Sequence, residues 1–165
     1  MIVVSDTTPL ISLLKIKRLD LLEKLFSTVH IPRGVFDELT VKKEFENEAQ
    51  QIRECDFIHI HDVNAQAVNL LRRATKLDLG ESEAIVLADT IKADLTILDD
   101  GNARRVAELE GMVITGTIGV LGKAYRVGII SADEIRRCVE ILRTNGRYFS
   151  ETLLNSLLSQ IQTVS

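Results

Sequence analysis

Short β-branched runs alternate along the chain with longer stretches whose apolar positions recur at helical spacing. Ile2-Val3-Val4 leads into Ser5-Asp6 and predicts a buried strand. Thr7-Thr8-Pro9 then reads as a helix start with proline in the first turn, and Leu10, Ile11, Leu13 and Leu14 supply its buried face. A second helix is expected over 19–26 and a second strand at Val29-His30-Ile31, after which Pro32 opens a helix through Val35, Phe36 and Leu39. Residues 42–54 are charged, amide-rich and helix-friendly. Phe57-Ile58-His59-Ile60-His61 alternates apolar and histidine, which predicts a half-exposed strand. Helices over 65–74 and 81–92 follow, with Leu79-Gly80 read as a break between them. A strand at 95–98, a turn at 99–102, a helix at 103–110 and a strand at 112–115 come next. Helices are expected over 117–126, 132–144 and 150–162. Strands separated by helices imply parallel βαβ units. The expected fold is a three-layer α/β/α arrangement around a parallel sheet of four or five strands. It should form one domain over residues 1–165, with helices in 131–162 available for an interface.

Composition narrows this picture. Hydrophobic residues make up 45% and charged residues 27% of 165, values of an ordinary globular chain with one core. Aromatics are only 4%, too few for a stacking platform on single-stranded nucleic acid. Cys55 and Cys138 stand far apart with no Cys/His cluster, which argues against zinc and suits a reducing, cytoplasmic setting. The first residues lack a charged leader, and the glycine-rich stretch 111–122 is too short to cross a bilayer. Twenty Lys+Arg against 24 Asp+Glu leave a net charge of −4, which excludes coating of nucleic acid by bulk charge.

The acids fall in informative places. Asp6 and Asp99 each end a predicted strand, where open α/β sheets build their sites. Either residue alone also suits a turn or a helix N-cap. Glu81 opens a helix and shares a face with Ala84, Ile85 and Ala88, although a glutamate there also suits the helix dipole. Glu83 lies on another arc of that helix. Glu38 follows the second strand and, on spacing alone, is an exposed helix residue.

Taken in order, these positions resemble the PIN-domain nucleases, within them a toxin-like, uncharacterised bacterial and archaeal subgroup, over nearly the whole chain. Val3-Val4-Ser5-Asp6-Thr7-Thr8-Pro9-Leu10-Ile11 looks like the family's opening strand, whose aspartate is a metal ligand. Ile31-Pro32-Arg33-Gly34-Val35-Phe36-Asp37-Glu38-Leu39 looks like its second motif, with Glu38 as the acid. Leu79-Gly80-Glu81-Ser82-Glu83-Ala84-Ile85 looks like the third, with Glu81 where the family has aspartate. Thr96-Ile97-Leu98-Asp99-Asp100 looks like the fourth, with Asp99 as the acid, while Asp100 and Asn102 compete for a variable extra position. Residues 114–121 resemble the subgroup's own signature.

The resemblance implies a PIN-like fold and a metal-dependent ribonuclease. Asp6, Glu38, Glu81 and Asp99 would be its catalytic metal ligands, joined by Asp100. Mg²⁺ or Mn²⁺ would be the cofactor, since hard cations prefer carboxylate oxygens. Thr7, Asn102, Arg104 and Arg105 become substrate-binding candidates. The implied partners are RNA, a cognate antitoxin that blocks the acidic site, and a second copy in a homodimer; no membrane is implied. A catalytically inactive nucleic-acid- or protein-binding module on the same fold is the competing reading. Setting the four acids aside leaves 20 acidic against 20 basic residues, so substrate binding should depend on metal and on local groups. The pairs Arg72-Arg73, Lys42-Lys43 and Arg136-Arg137, with Lys76, read as solvated surface, and Gly116, Gly119 and Gly122 as close backbone packing. The stripe Leu153-Leu154, Leu157-Leu158, Ile161 reads as core or as an interface.

Overall fold

A computed structural model describes residues 1–41, 44, 46–144 and 149–162, so the Lys42-Lys43 pair lies outside the described residues. Strands β1 (Val3–Ser5), β2 (Val29–Pro32), β3 (Ile58–His61), β4 (Leu95–Ile97) and β5 (Ile114–Thr115) form one parallel sheet in the order β3-β2-β1-β4-β5. Between and after them run α1 (Thr7–Lys15), α2 (Asp20–Phe26), α3 (Arg33–Val41), α4 (Glu46–Arg53), α5 (Ala65–Thr75), α6 (Leu79–Thr90), α7 (Gly101–Leu109), α8 (Thr117–Arg126), α9 (Ala132–Thr144) and α10 (Glu151–Gln162).

All of β1 is buried, as a central parallel strand covered on both faces must be. Its side chains alternate between two cores. Val3 belongs to one with Leu10, Leu21, Leu121 and Leu157, and Val4 to one with Ala84, Leu98, Ala103 and Val106. The fold is therefore the expected three-layer α/β/α arrangement, with five strands. Ile135, Cys138 and Leu142 of α9 and Leu154, Leu157 and Ile161 of α10 complete the first core, which places most of the C-terminal apolar stripe inside the chain. Arg18 fastens α9 to the start of α2, pairing with Asp20 at 3.0 Å and with Glu134. Among the described residues no helix is long and apolar enough to cross a membrane.

Several boundaries differ from expectation, among them the start of α7 at Gly101, inside the turn expected at 99–102. Helix α6 begins at Leu79, not at Glu81, so Leu79-Gly80 is no break. The reason is a capping box. Asp78 accepts a hydrogen bond from the Glu81 amide at 2.8 Å, and the Glu81 carboxylate accepts one from the Asp78 amide at 3.1 Å. Those bonds satisfy amides a helix start would otherwise leave open, so the helix extends back through Gly80. The last strand shortens to Ile114–Thr115, because only those residues pair with β4.

Candidate active site

Strand order reverses between β1 and β4: β1, β2 and β3 run one way across the sheet, and β4 and β5 the other. A crevice outside the carboxyl ends of the strands at this point is where open α/β sheets bind ligands. Ser5 is level with Ile97, and the Asp6 amide donates to the Ile97 carbonyl at 3.2 Å. Asp6 therefore leaves the sheet at the switch point, only 5% exposed. It sits at the N-cap of α1, but its side chain makes no capping hydrogen bond. Burial, reinforced by the charges of Asp78, Glu81 and Glu38, pushes its carboxyl up to about 8 against the lowering hydrogen bond from the Thr7 amide.

Glu38 arrives from α3, in the second helical turn after β2 ends at Pro32. Thr7 donates its hydroxyl to Glu38 Oε2 at 2.8 Å, so the residue following Asp6 holds the second acid in place. Gly80 closes this corner. A Cβ there would lie 3.2 Å from Glu38 Oε2, 3.3 Å from Asp6 Oδ1 and 3.5 Å from Thr7 Oγ1. Three oxygens from two elements thus converge on the first turn of α6, and the missing side chain keeps the space open.

Glu81, one residue on, points back into its own capping box. Burial, with the charges of Asp78, Asp100 and Glu38, raises its carboxyl to about 7, against the hydrogen bond from the Asp78 amide. The charges of both Glu38, on α3, and Asp100, at the start of α7, therefore reach it. Glu83 takes a separate place: its carboxylate lies over Gly34, where a Cβ would come within 2.0 Å of Oε2, and accepts a hydrogen bond from the Gly34 backbone. Ser82, between these two glutamates, is fully buried, and its hydroxyl has no partner among the described residues.

Asp99 follows β4 and is held by Thr117. The Thr117 amide donates to Oδ1 and its hydroxyl to Oδ2, both at 2.7 Å. Burial raises the Asp99 carboxyl, opposed by these two bonds and by the Arg104 charge. Gly116 permits the clamp, since a Cβ there would meet Asp99 Oδ1 at 2.7 Å and Arg104 Nη1 at 2.9 Å. Asp100 caps α7 by accepting from the Ala103 amide at 3.0 Å.

The substrate-binding candidates divide. Thr7 is buried and bonded to Glu38. Arg104 is partly buried and donates to the Leu98 carbonyl at 2.9 Å. Arg105 is exposed and donates to Asn102 at 2.8 Å on the outer surface of α7. The structure thus brings Asp6, Glu38 and Thr7 together, with Glu81 and Asp78 close enough to act on Asp6 electrostatically. Asp99 stands on its own clamp. Among the described residues no three Asp, Glu, His or Cys side chains stand ready-grouped to hold a metal.

A cavity of about 630 Å³ opens from this corner, lined by Glu38, Gly80, Asp78, Glu83, Asp37 and Arg33 among others. Across its mouth Arg33 pairs with Asp62 at 2.6 Å. Nearby on the sheet, His30 Nδ1 lies 2.8 Å from His61 Nε2, and the His30 ring meets His59 edge-on, so all three histidines of the chain form one cluster. The pairing of β2 with β3 explains it: His30 is in register with His59.

Sequence reasoning read Gly116 as close backbone packing, without its partner Asp99, and missed the roles of Thr117, Gly80 and Asp78. Asp78 had a legible signal, an acid three residues before Glu81 at a helix start. The other three act through clearances and bonds across sequence separations that no local pattern encodes. A family model described as a PIN domain matches residues 2–163 of the chain. No curated protein matches it.

Proposed function

The chain belongs to the PIN-domain family, whose members are generally nucleases that use divalent metal ions, and from that premise we propose that it is a metal-dependent endoribonuclease. The observation that carries this reading is the convergence of Asp6, Glu38 and Thr7 oxygens on Gly80 at the sheet's switch point. The donor set fits a hard cation. It is made of carboxylate and hydroxyl oxygens; burial first, and then the charges of Asp78, Glu81 and Glu38, raise the Asp6 carboxyl, and a divalent ion would offset both. Asp6 and Glu38 would hold Mg²⁺ or Mn²⁺, with Glu81, Asp99 and Asp100 as the further acidic ligands. The ion would supply a more acidic water and polarise a phosphoryl oxygen.

The chain's own residues do the rest. Thr7 fixes the Glu38 carboxylate, and the capping box fixes Glu81 beside it. Thr117 holds Asp99 with both oxygens engaged. Burial takes the Asp6 carboxyl itself out of bulk water, which strengthens its interactions with neighbouring charges. The biological role in this reading is that of a toxin of the toxin–antitoxin type, with a cognate antitoxin covering the acidic crevice.

The second reading, a binding module without catalysis, draws on one observation: Glu81 and Asp99 both spend their carboxylates on hydrogen bonds within the chain. One experiment separates the two. Single-stranded RNA is incubated with wild type and with Asp6→Asn, Asp99→Asn, in Mn²⁺ or in chelator, while Mn²⁺ binding is measured by calorimetry. The nuclease reading expects cleavage by wild type only, with metal only, and loss of Mn²⁺ binding in the double variant. Equal cleavage by a clean preparation of the variant removes the assignment. Binding of RNA without cleavage under any metal condition supports the module.

A further inference from the structure

We propose that a basic concavity at the C-terminal end of α5 binds the backbone phosphates of the RNA strand that enters the acidic crevice. This rests on the ribonuclease reading and adds a second subsite to it.

Asn69, Arg72, Arg73 and Lys76 are spaced 0, 3, 4 and 7 along the chain, which puts them on one helix face. Lys76 ends the helix in the left-handed conformation, φ 61°, with its amide bonded to the Arg72 carbonyl. The turn folds the three cations around a concavity of about 500 Å³, with Leu77 buried at its base.

These cations differ from Arg33, the arginine that lines the crevice. Arg18, Arg33, Arg136 and Arg143 each pair with a carboxylate. Arg72, Arg73 and Lys76 are exposed, and none forms an ion pair within 4.0 Å among the described residues. Three like charges in one concavity repel one another. The negative end of the α5 dipole offsets part of that repulsion, and an anion would offset the rest. Two guanidinium forks and an ammonium match phosphate oxygens, the forks two bonds at a time.

Position selects the ligand. Asp78, two residues after Lys76, caps α6 and lines the cavity that Glu38 and Gly80 share. Arg72 is close enough to Glu83, in the wall of that cavity, for their charges to attract. A strand lying in the concavity therefore continues into the crevice where its phosphodiester would be cut. An acidic protein segment following the same path would meet Asp37, Asp62 and Glu83.

The test uses the full chain and a fluorescein-labelled twelve-nucleotide single-stranded RNA. Arg72→Ala, Arg73→Ala, Lys76→Ala is compared with wild type in cleavage, and both are compared in binding on an Asp6→Asn background. The expected result is KM raised about tenfold or more with kcat unchanged. The slope of log K against log salt should become shallower by about 2, from three lost contacts at ~0.7 each. Arg136→Ala, Arg137→Ala on α9 should change neither. If wild type cleaves with metal and the triple variant keeps the parental KM and salt slope, the subsite is overturned and the ribonuclease reading stands. If RNA binds, weakened by the triple variant, but is never cut, the subsite stands and the catalytic reading falls. If neither protein binds RNA, both fall, and an acidic protein partner becomes the candidate for the patch.

Discussion

Thr117→Val tests the clamp on Asp99 with little change of shape. Thr117 is fully buried at the first position of α8, and valine keeps its branching and volume. The change deletes the hydroxyl that donates to Asp99 Oδ2 at 2.7 Å and leaves the backbone amide on Oδ1. A hydrogen bond to a charged group contributes about 1.5–3 kcal/mol, and the abandoned oxygen is partly buried. For a chain of this size that loss lowers Tm by about 3–12 °C. The measurement is urea and thermal unfolding of the metal-free protein, with Thr117→Ser, which restores the hydroxyl, as the control. Mn²⁺ titration reads the second consequence. If Asp99 is a ligand, an unclamped carboxylate should weaken Mn²⁺ affinity about 10–100-fold. A valine variant within about 0.5 kcal/mol of the parent, with Mn²⁺ affinity unchanged, would refute the reasoning, because a partly buried charged acceptor would then have lost a partner at no cost.

Two further predictions concern the crevice. The Asp6 carboxyl, raised from 3.8 to about 8, stays protonated in the fold at pH values where the unfolded chain has already ionised. Its contribution to stability is therefore complete below about pH 4 and is lost as pH rises to about 8, each pH unit being worth about 1.4 kcal/mol. Thermal melts in chelator from pH 5 to 8.5 should show this decline, steeper for wild type than for Asp6→Asn, and Mn²⁺ should stabilise more as pH rises. An equal slope in both proteins would count against the buried carboxyl. Asp78→Ala removes the cap of α6 and should cost about 1 kcal/mol, read by urea unfolding. It also frees Glu81, so a change in Mn²⁺ affinity larger than the stability loss would identify the cap as a positioning device.

Much of the architecture was legible locally. Alternating apolar runs and helical stripes defined nearly every element, because side-chain period is a property of short segments. Asp6 and Asp99 were legible as acids at strand ends for the same reason, and Pro9 marked the start of α1. The α6 boundary was misread because Gly80 was weighed as a breaker, while the Asp78–Glu81 capping box outweighed it.

By itself, then, the amino-acid sequence determined the layers, the parallel sheet and the set of acids available at its carboxyl edge. Only the tertiary structure decided what each acid does. The order β3-β2-β1-β4-β5 put Asp6 at the switch point and brought α3 and α6 against it, so Glu38 and Gly80 meet there. It also set Glu83 over Gly34 and gave Asp99 to Thr117, whereas the Glu81 cap and the Arg72, Arg73, Lys76 face are local. The other outcomes depend on contacts between residues far apart in the chain. Such contacts follow from strand order and helix packing, and a hydrophobic pattern read a few residues at a time carries neither.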